Sequence, residues 1–321
     1  MCGIAGIFNG NGGGVSLSVL EVMTDLLEHR GPDDRGFWFD SYTGLGHRRL
    51  SIIDLKGGAQ PMTDPSGRYH LVFNGEIYNY RELRQVLEAK GHVFRTRSDT
   101  EVLLHSYIEY GERCPEKLNG MFAFAVYDSL EKKLFLARDR SGIKPLYYAR
   151  LGEEFIFGSE IKSLLAYPKC PREPNLKVIG FYLSHYQSVM NDETLFRGIN
   201  TLEAGCSLTV TPGKCSQRRY WIQPVIPEAE KKDKGEEYYI VSVREMVTRA
   251  VERQLVSDVP LGAYLSGGVD SAIIVALLSE LSGQRVKTFS IGFQDEGFNE
   301  FQYSDQVANA WGTDHTQIIL E

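Results

Sequence analysis

Apolar residues fall in short runs along the first two thirds of the chain and in longer runs of helical period in the last third. Ile4 to Phe8 is an apolar run of strand length, and Val19 to Leu27 repeats its apolar positions at helical spacing. Leu71 to Phe73 reads as a strand stopped by Asn74-Gly75, a strong turn pair. A helix is expected near Tyr80 to Ala89. Ser98 and Glu101 form a capping-box pattern ahead of Val102, Leu103, Ser106 and Tyr107, which places Asp99 in a first helical turn. Met121 to Tyr127 and Leu134 to Ala137 predict a hairpin around Asp128-Ser129, with further strands at Leu146 to Ala149 and Phe155 to Phe157. The sum is α+β, packed sheets covered by helices.

From Pro224 to Glu237 the composition shifts to Pro, Lys, Glu, Asp and Gly without apolar periodicity, the mark of a linker. The expected organisation is a domain over 2–222, a linker over 223–237 and a second domain over 238–321. In the latter, Ile240, Val243, Val247, Val251 and Leu255 recur at helical spacing until Asp258-Val259-Pro260. Strand Leu261 to Leu265, a glycine loop, helix Ala272 to Leu281, strand Val286 to Ile291, helix Phe301 to Trp311 and strand Thr316 to Leu320 follow. That alternation predicts a parallel sheet with right-handed crossovers. Three strands are few for a doubly wound sheet, so this domain is expected to be a fragment.

A length of 321 residues suits two domains, and 42% hydrophobic with 24% charged residues is a globular composition. No run reaches membrane-spanning length, and the first residues lack the parts of a secretory signal, so a cytoplasmic location is expected. The formal charge of −7 argues against nucleic acid as a general partner and favours small substrates. Cys2, Cys114, Cys170, Cys206 and Cys215 show neither CxxC nor zinc-ligand spacing. Four of them read as reduced, buried thiols.

Cys2 differs from the other four. Once Met1 is removed it carries a thiol and a free α-amine, nucleophile and general base on one residue. An unperturbed thiol titrates near 8.5 and an α-amine near 8, so a proton passes between them at little cost. The attack also needs hydrogen-bond donors for the oxyanion, and Asn74-Gly75 could supply a side-chain amide and a backbone N–H; by itself that pair is a hairpin turn. Downstream, Ser266-Gly267-Gly268-Val269-Asp270-Ser271 stands between strand and helix. Backbone N–H groups and a helix N-terminus there suit a phosphate. The run lacks the Lys-Ser/Thr ending of a Walker-type loop.

Met1-Cys2-Gly3-Ile4, His29-Arg30-Gly31-Pro32-Asp33, His47 to Asp54 (HRRLSIID), Asn74 to Asn79 (NGEIYN) and Ser98-Asp99-Thr100-Glu101 resemble the class II glutamine amidotransferase domain in order and spacing. With Ser266 to Ser271 added, the chain is similar to the N-terminal part of the glutamine-hydrolysing asparagine synthetases of the long bacterial type. The resemblance implies an N-terminal-nucleophile-type layered sandwich, helices covering two packed antiparallel sheets, followed by an incomplete α/β parallel-sheet domain of the ATP-pyrophosphatase type.

It further implies that Cys2 is the nucleophile and that Asn74 and the Gly75 amide form the oxyanion hole. Arg49 would hold the glutamine α-carboxylate, Asp99 with Glu76 the α-ammonium, and the backbone of Leu50, Ser51, Ile52 and Ile53 would line the pocket. Taken alone, Arg49 reads as a solvated charge and Asp99 as a helix-dipole residue. Arg30 is placed near the site, although a turn-stabilising salt bridge explains it equally well. For ATP the resemblance points to Leu265, Ser266, Gly267, Gly268, Asp270, Ser271, Ile291 and Gly292, with Mg2+ as a further cofactor whose ligands the sequence does not identify. The implied reaction joins ammonia from glutamine, delivered through an internal tunnel, to an aspartyl adenylate made from aspartate and ATP.

Two departures qualify this. The family's second glycine-serine-acidic motif and the aspartate-binding residues do not occur within this chain, so only the glutaminase half is expected to be complete. Leu202-Glu203-Ala204-Gly205 stands where prolines more often precede the glycine. A different acceptor carboxylate, or a non-catalytic module that kept the fold, are the competing readings; a homodimer is left open.

Overall fold

The strand Gly3–Asn9 explains the layering of the molecule. Its even positions Ile4 and Phe8 join one apolar core and its odd positions Ala5 and Ile7 another, so both faces are buried. The computed structural model describes residues 1–294 and 299–320. It divides into two units, Met1–Pro224 and Val225–Glu321.

In the first unit an eight-stranded and a six-stranded sheet, both antiparallel, enclose a core that includes Ile4, Phe8, Leu45, Val72, Ala123, Tyr127, Leu134 and Leu136. The helix Leu17–Asp25 covers the outer face of the larger sheet, burying Leu20 and Met23 against Ala5 and Ile7. Gly3–Asn9 pairs on one side with Thr43–Arg49, which in turn pairs with Asp34–Phe39. In the smaller sheet Tyr69–Ile77 runs antiparallel to Gly120–Asp128, and Lys133–Arg138 completes the expected hairpin. This is the layered sandwich that the sequence led us to expect.

Several local expectations need correction. Asn74-Gly75 is no turn: the strand continues through both residues to Ile77, pairing Asn74 with Ala123 and Gly75 with Phe122. Gly75 is required here by close approach, since a Cβ would lie 2.1 Å from the Met121 carbonyl oxygen. The capping box is only half formed. Ser98 Oγ accepts from Thr100 N (3.1 Å), whereas Glu101 turns away to accept from Arg95 N and Thr96 N. Arg49 is buried, so it is not a solvated charge, while Asp99 is buried in the first turn of its helix, where the sequence placed it. Strands Asp34–Phe39 and Thr43–Arg49 and helix Leu176–His185 had no signal in the sequence.

The second unit opens with helix Glu236–Arg253, which begins inside the expected linker. Strands Gly262–Tyr264, Lys287–Phe293 and Asp314–Leu320 form a three-stranded parallel sheet in chain order, joined through helices Val269–Ser282 and Phe301–Trp311. Residues 295–298 and 321 of the expected second domain lie outside the described residues. No helix among the described residues is long and apolar enough to cross a membrane.

Candidate active site

Cys2 stands one residue before the strand Gly3–Asn9, and pairing of Gly3 with Arg48 brings its thiol opposite Leu50. Leu50 N–H donates to Sγ (3.4 Å), and Sγ lies 3.6 Å from the Leu50 carbonyl. Arg30 Nε donates to the Cys2 carbonyl (3.0 Å) while its Nη1 meets Glu160 at 3.0 Å. Arg30 is thus bonded to Cys2, and its ion-pair partner lies 130 residues along the chain and not within its own turn. Burial raises the Cys2 thiol above its ordinary value, opposed by the Leu50 amide. The terminal amine, here that of Met1, is lowered by burial, with Lys144 and Arg30 adding to the effect.

A cavity of ≈ 170 Å³ opens beside the thiol. Its lining includes Cys2, Arg49, Leu50, Ile52, Ile53, Asn74, Gly75, Glu76 and Asp99, so the candidates for the first site converge with one exception. Ser51 is not among the lining residues; its amide is held by Asp33 Oδ2 at 2.8 Å.

The edge of Tyr69–Ile77 supplies the polar geometry. Strand alternation sends the N–H groups of Phe73, Gly75 and Ile77 to one side, away from Gly120–Asp128. Phe73 N donates to Gln60 Oε1 (2.6 Å) and Ile77 N to Asp99 Oδ2 (3.0 Å). The Gly75 N–H between them has no hydrogen-bond partner among the described residues. Next to it, the Asn74 side-chain amide is buried with both Oδ1 and Nδ2 unpartnered. A buried polar group without a partner costs about 1–3 kcal/mol. The Asn74 amide and the Gly75 N–H thus place two open donors on one cavity wall, the kind of pair that stabilises an oxyanion.

Charge is arranged around the same space. Asp99 is buried in the first turn of Asp99–Tyr110, and its pKa is pushed up to about 6, by burial first and then by repulsion from Glu76. Glu76 is also raised by burial, with Lys144 opposing. Arg49 ends the strand Thr43–Arg49 and reaches forward to its own loop. Nη1 donates to Leu55 O (3.0 Å), and Nη2 to Asp54 O (2.7 Å) and Ile53 O (3.3 Å). Of the five guanidinium donors three are engaged. Sequence reasoning missed Gln60 and Lys144 among the lining residues. Lys144 follows the Asp139 to Gly142 turn, whose Asp-x-Ser-Gly pattern was the available signal.

In the second unit the loop after Gly262–Tyr264 leads to helix Val269–Ser282 with Gly268 at its N-cap. Gly267 has φ +86°, a left-handed conformation that suits glycine, and a Cβ there would meet Tyr303 Cβ at 2.6 Å. Ser266 Oγ lies 3.1 Å from Ser271 Oγ and accepts from Gly268 N at 3.4 Å. Above Gly268 a Cβ would meet only Ser266 Oγ at 3.5 Å, so the backbone there stands open to a ligand. Leu265, Ser266 and Ile291 line a cleft of ≈ 260 Å³; Gly292 does not line it and packs against Phe301 and Asn299. Among the described residues no group of three or more His, Cys, Asp or Glu could hold a metal ion.

Residues 1–221 match the family model described as glutamine amidotransferase domain, and residues 242–321 match the one described as asparagine synthase. The chain is 38% identical over 324 residues to asparagine synthetase [glutamine-hydrolyzing] 1 of Bacillus subtilis (strain 168), a match covering 100% of this chain and 50% of the relative. Asparagine synthetase [glutamine-hydrolyzing] 3 of the same organism is 39% identical, covering 94% of this chain and 51% of the relative. The chain therefore spans about half the length of these curated relatives. Among solved structures, the glutamine phosphoribosylpyrophosphate amidotransferase from B. subtilis, complexed with ADP and GMP, superposes with a TM-score of 0.51 at 17% identity, over 98% of this chain and 65% of that one. That likeness concerns the fold alone.

Proposed function

The chain belongs to the glutamine amidotransferase domain family through residues 1–221, and on that premise we propose that its first unit hydrolyses the side-chain amide of glutamine at Cys2. With Met1 removed, the thiol proton passes to the α-amine of Cys2 as Sγ bonds to the amide carbon. The carbonyl oxygen becomes an oxyanion that the Asn74 amide and the Gly75 N–H stabilise. Collapse of the tetrahedral intermediate breaks the C–N bond as the ammonium of Cys2 gives its proton to the departing nitrogen, which leaves as ammonia. Water then cleaves the thioester, giving glutamate and the free thiol. Asp99 and Glu76 hold the substrate α-ammonium. Arg49 holds the α-carboxylate with its remaining donors, or by yielding one of the three carbonyls it now grips.

For the whole protein we propose a glutamine-hydrolysing asparagine synthetase, an ATP-dependent ligase that joins this ammonia to activated aspartate. The open backbone at Gly268, the Ser266 and Ser271 hydroxyls and the helix N-terminus behind them fit ATP phosphates. When bound, ATP supplies the leaving pyrophosphate that activates a carboxylate. The residues described do not form a cage for Mg2+, an ion that commonly enters such sites with nucleotide phosphates and few protein ligands. A reducing compartment such as the cytoplasm suits a nucleophilic thiol.

The pair of unspent donors at Asn74 and Gly75, in one cavity with Cys2, carries the reading. It is tested by glutamate release from glutamine, with the N-terminal residue read by mass spectrometry. A chain starting at Cys2 is expected to release glutamate, while Cys2→Ala and a chain retaining Met1, whose Cys2 nitrogen is an amide, are expected to be silent. Activity in Cys2→Ala would refute the nucleophile.

A further inference from the structure

Lys144 lines the cavity with Cys2 and Glu76 but takes no part in the steps above. It is only 4% exposed, and lysines are rarely so buried unless paired. Yet its ammonium makes neither an ion pair nor a hydrogen bond among the described residues. Its place is fixed from the backbone. One Asp139 carboxylate oxygen accepts from Phe122 N (3.1 Å) and Lys144 N (2.9 Å), the other from Ser141 N (3.1 Å) and Ile143 N (2.9 Å). Arg138 grips the same turn, donating to the carbonyls of Lys144, Gly142 and Leu202 at 2.7 Å each. A turn clamped from both sides thus carries an unpaired ammonium to the cavity.

The groups that face it are few. Burial lowers the Lys144 ammonium below its ordinary value and Arg30 adds to this, while Glu76 first, then Cys2 and Asp139, favour its charged form. Glu76 in turn faces Asp99, Tyr78 and the terminal amine. Arg30 is spent on Glu160 and the Cys2 carbonyl, and Asp139 on four amides, so neither can take the place of Lys144 or Glu76.

We propose that Lys144 is a positioning residue for glutamine binding, the fixed counter-charge that keeps Glu76 a carboxylate in the same cavity as Asp99, so that the substrate α-ammonium meets two anions. The inference rests on the reading that this cavity takes glutamine. Burial alone moves both carboxyls toward the neutral form, and each carboxylate disfavours the other. Without a nearby cation the two carboxyls would be harder to ionise together.

Lys144→Met and Lys144→Gln, two neutral variants that fill the same slot, test this in the 321-residue chain. Glutamine KM should rise about five- to tenfold near pH 6 and less near pH 8, while kcat changes by less than about twofold. Lys144→Arg should restore the parent profile, and on a Glu76→Gln background Lys144→Met should add nothing. Independently of turnover, the 13C titration of the Glu76 carboxyl, assigned by its loss in Glu76→Gln, should move up by about half to one pH unit in the neutral variants. An unmoved Glu76 midpoint overturns the proposal, and so does a moved midpoint with an unchanged KM. A parent chain that releases no glutamate sinks the functional reading and the substrate half of this one, while the Glu76 midpoint still decides whether Lys144 holds that carboxylate.

Discussion

Asp99→Asn should make the first unit more stable while weakening its glutaminase activity. Asp99 is buried and its pKa stands at about 6 against an ordinary 3.8. An acid whose pKa is higher in the folded chain than in the unfolded one costs stability as pH rises between those values, and the full cost persists above the upper one. About two units at about 1.4 kcal/mol each give about 3 kcal/mol above roughly pH 6. Asparagine keeps an acceptor for Ile77 N–H, now served by Asp99 Oδ2, but brings an NH2 group that needs partners of its own. The expected net gain is therefore about 1–2 kcal/mol, or about 2–8 °C in Tm for a domain of this size. Thermal melts of variant and parent near pH 8 and pH 4.5 measure it. The gain should be present at the higher pH and nearly absent at the lower, where Asp99 itself is protonated. Glutamate release near pH 8 should fall by about 10- to 200-fold in kcat/KM, the worth of a charged hydrogen bond of about 1.5–3 kcal/mol. Destabilisation of equal size at both pH values would refute the argument, since it would make the Asp99 hydrogen bonds, and not its charge, the dominant quantity.

Other consequences can be measured alongside. Asn74→Leu should lower kcat for glutamine hydrolysis by about 10²- to 10³-fold with little change in KM, and should leave thermal stability equal or higher because two unpartnered buried atoms vanish. A stability loss above about 2 kcal/mol would mean that the amide has a structural partner. Arg49→Ala should raise glutamine KM more than it lowers kcat, and should expose the Ile53 to Leu55 segment to limited proteolysis, since three carbonyls lose their donor. An unchanged KM would remove Arg49 from the pocket.

Much of the site was legible because its chemistry is carried by residue type. A cysteine at position 2 and a Ser-Gly-Gly run between strand and helix are each a modest signal alone, and it is their combination with the motifs between them that is selective. What failed was local conformation. Asn-Gly is a turn former on intrinsic preference, but nine ladder pairs with Gly120–Asp128 outweigh that preference, and the glycine serves close packing against Met121 instead. The strand Thr43–Arg49 escaped notice because its burial comes from Gly44 and Gly46, which make room for the helix above them, and from arginines that find partners inside the fold. For Lys144 the turn pattern before it was the one signal, and only the fold shows that this turn points inward.

The shortness of one strand has a consequence of its own. Met62–Thr63 pairs with Tyr69–Ile77 only at His70 and Leu71 and then ends. Four more residues of pairing, back to Gly58 in the same register, would have consumed the Gly75 amide as an ordinary ladder bond. Open sheet edges are usually hazards, because any passing extended chain can dock on them. Here Gln60 and Asp99 cap the amides on either side, so the single vacancy that remains is too narrow for another strand and admits only a lone acceptor atom. Ligands that gain from this site should therefore be small carbonyl or oxyanion mimics, and extended peptides should not compete with them.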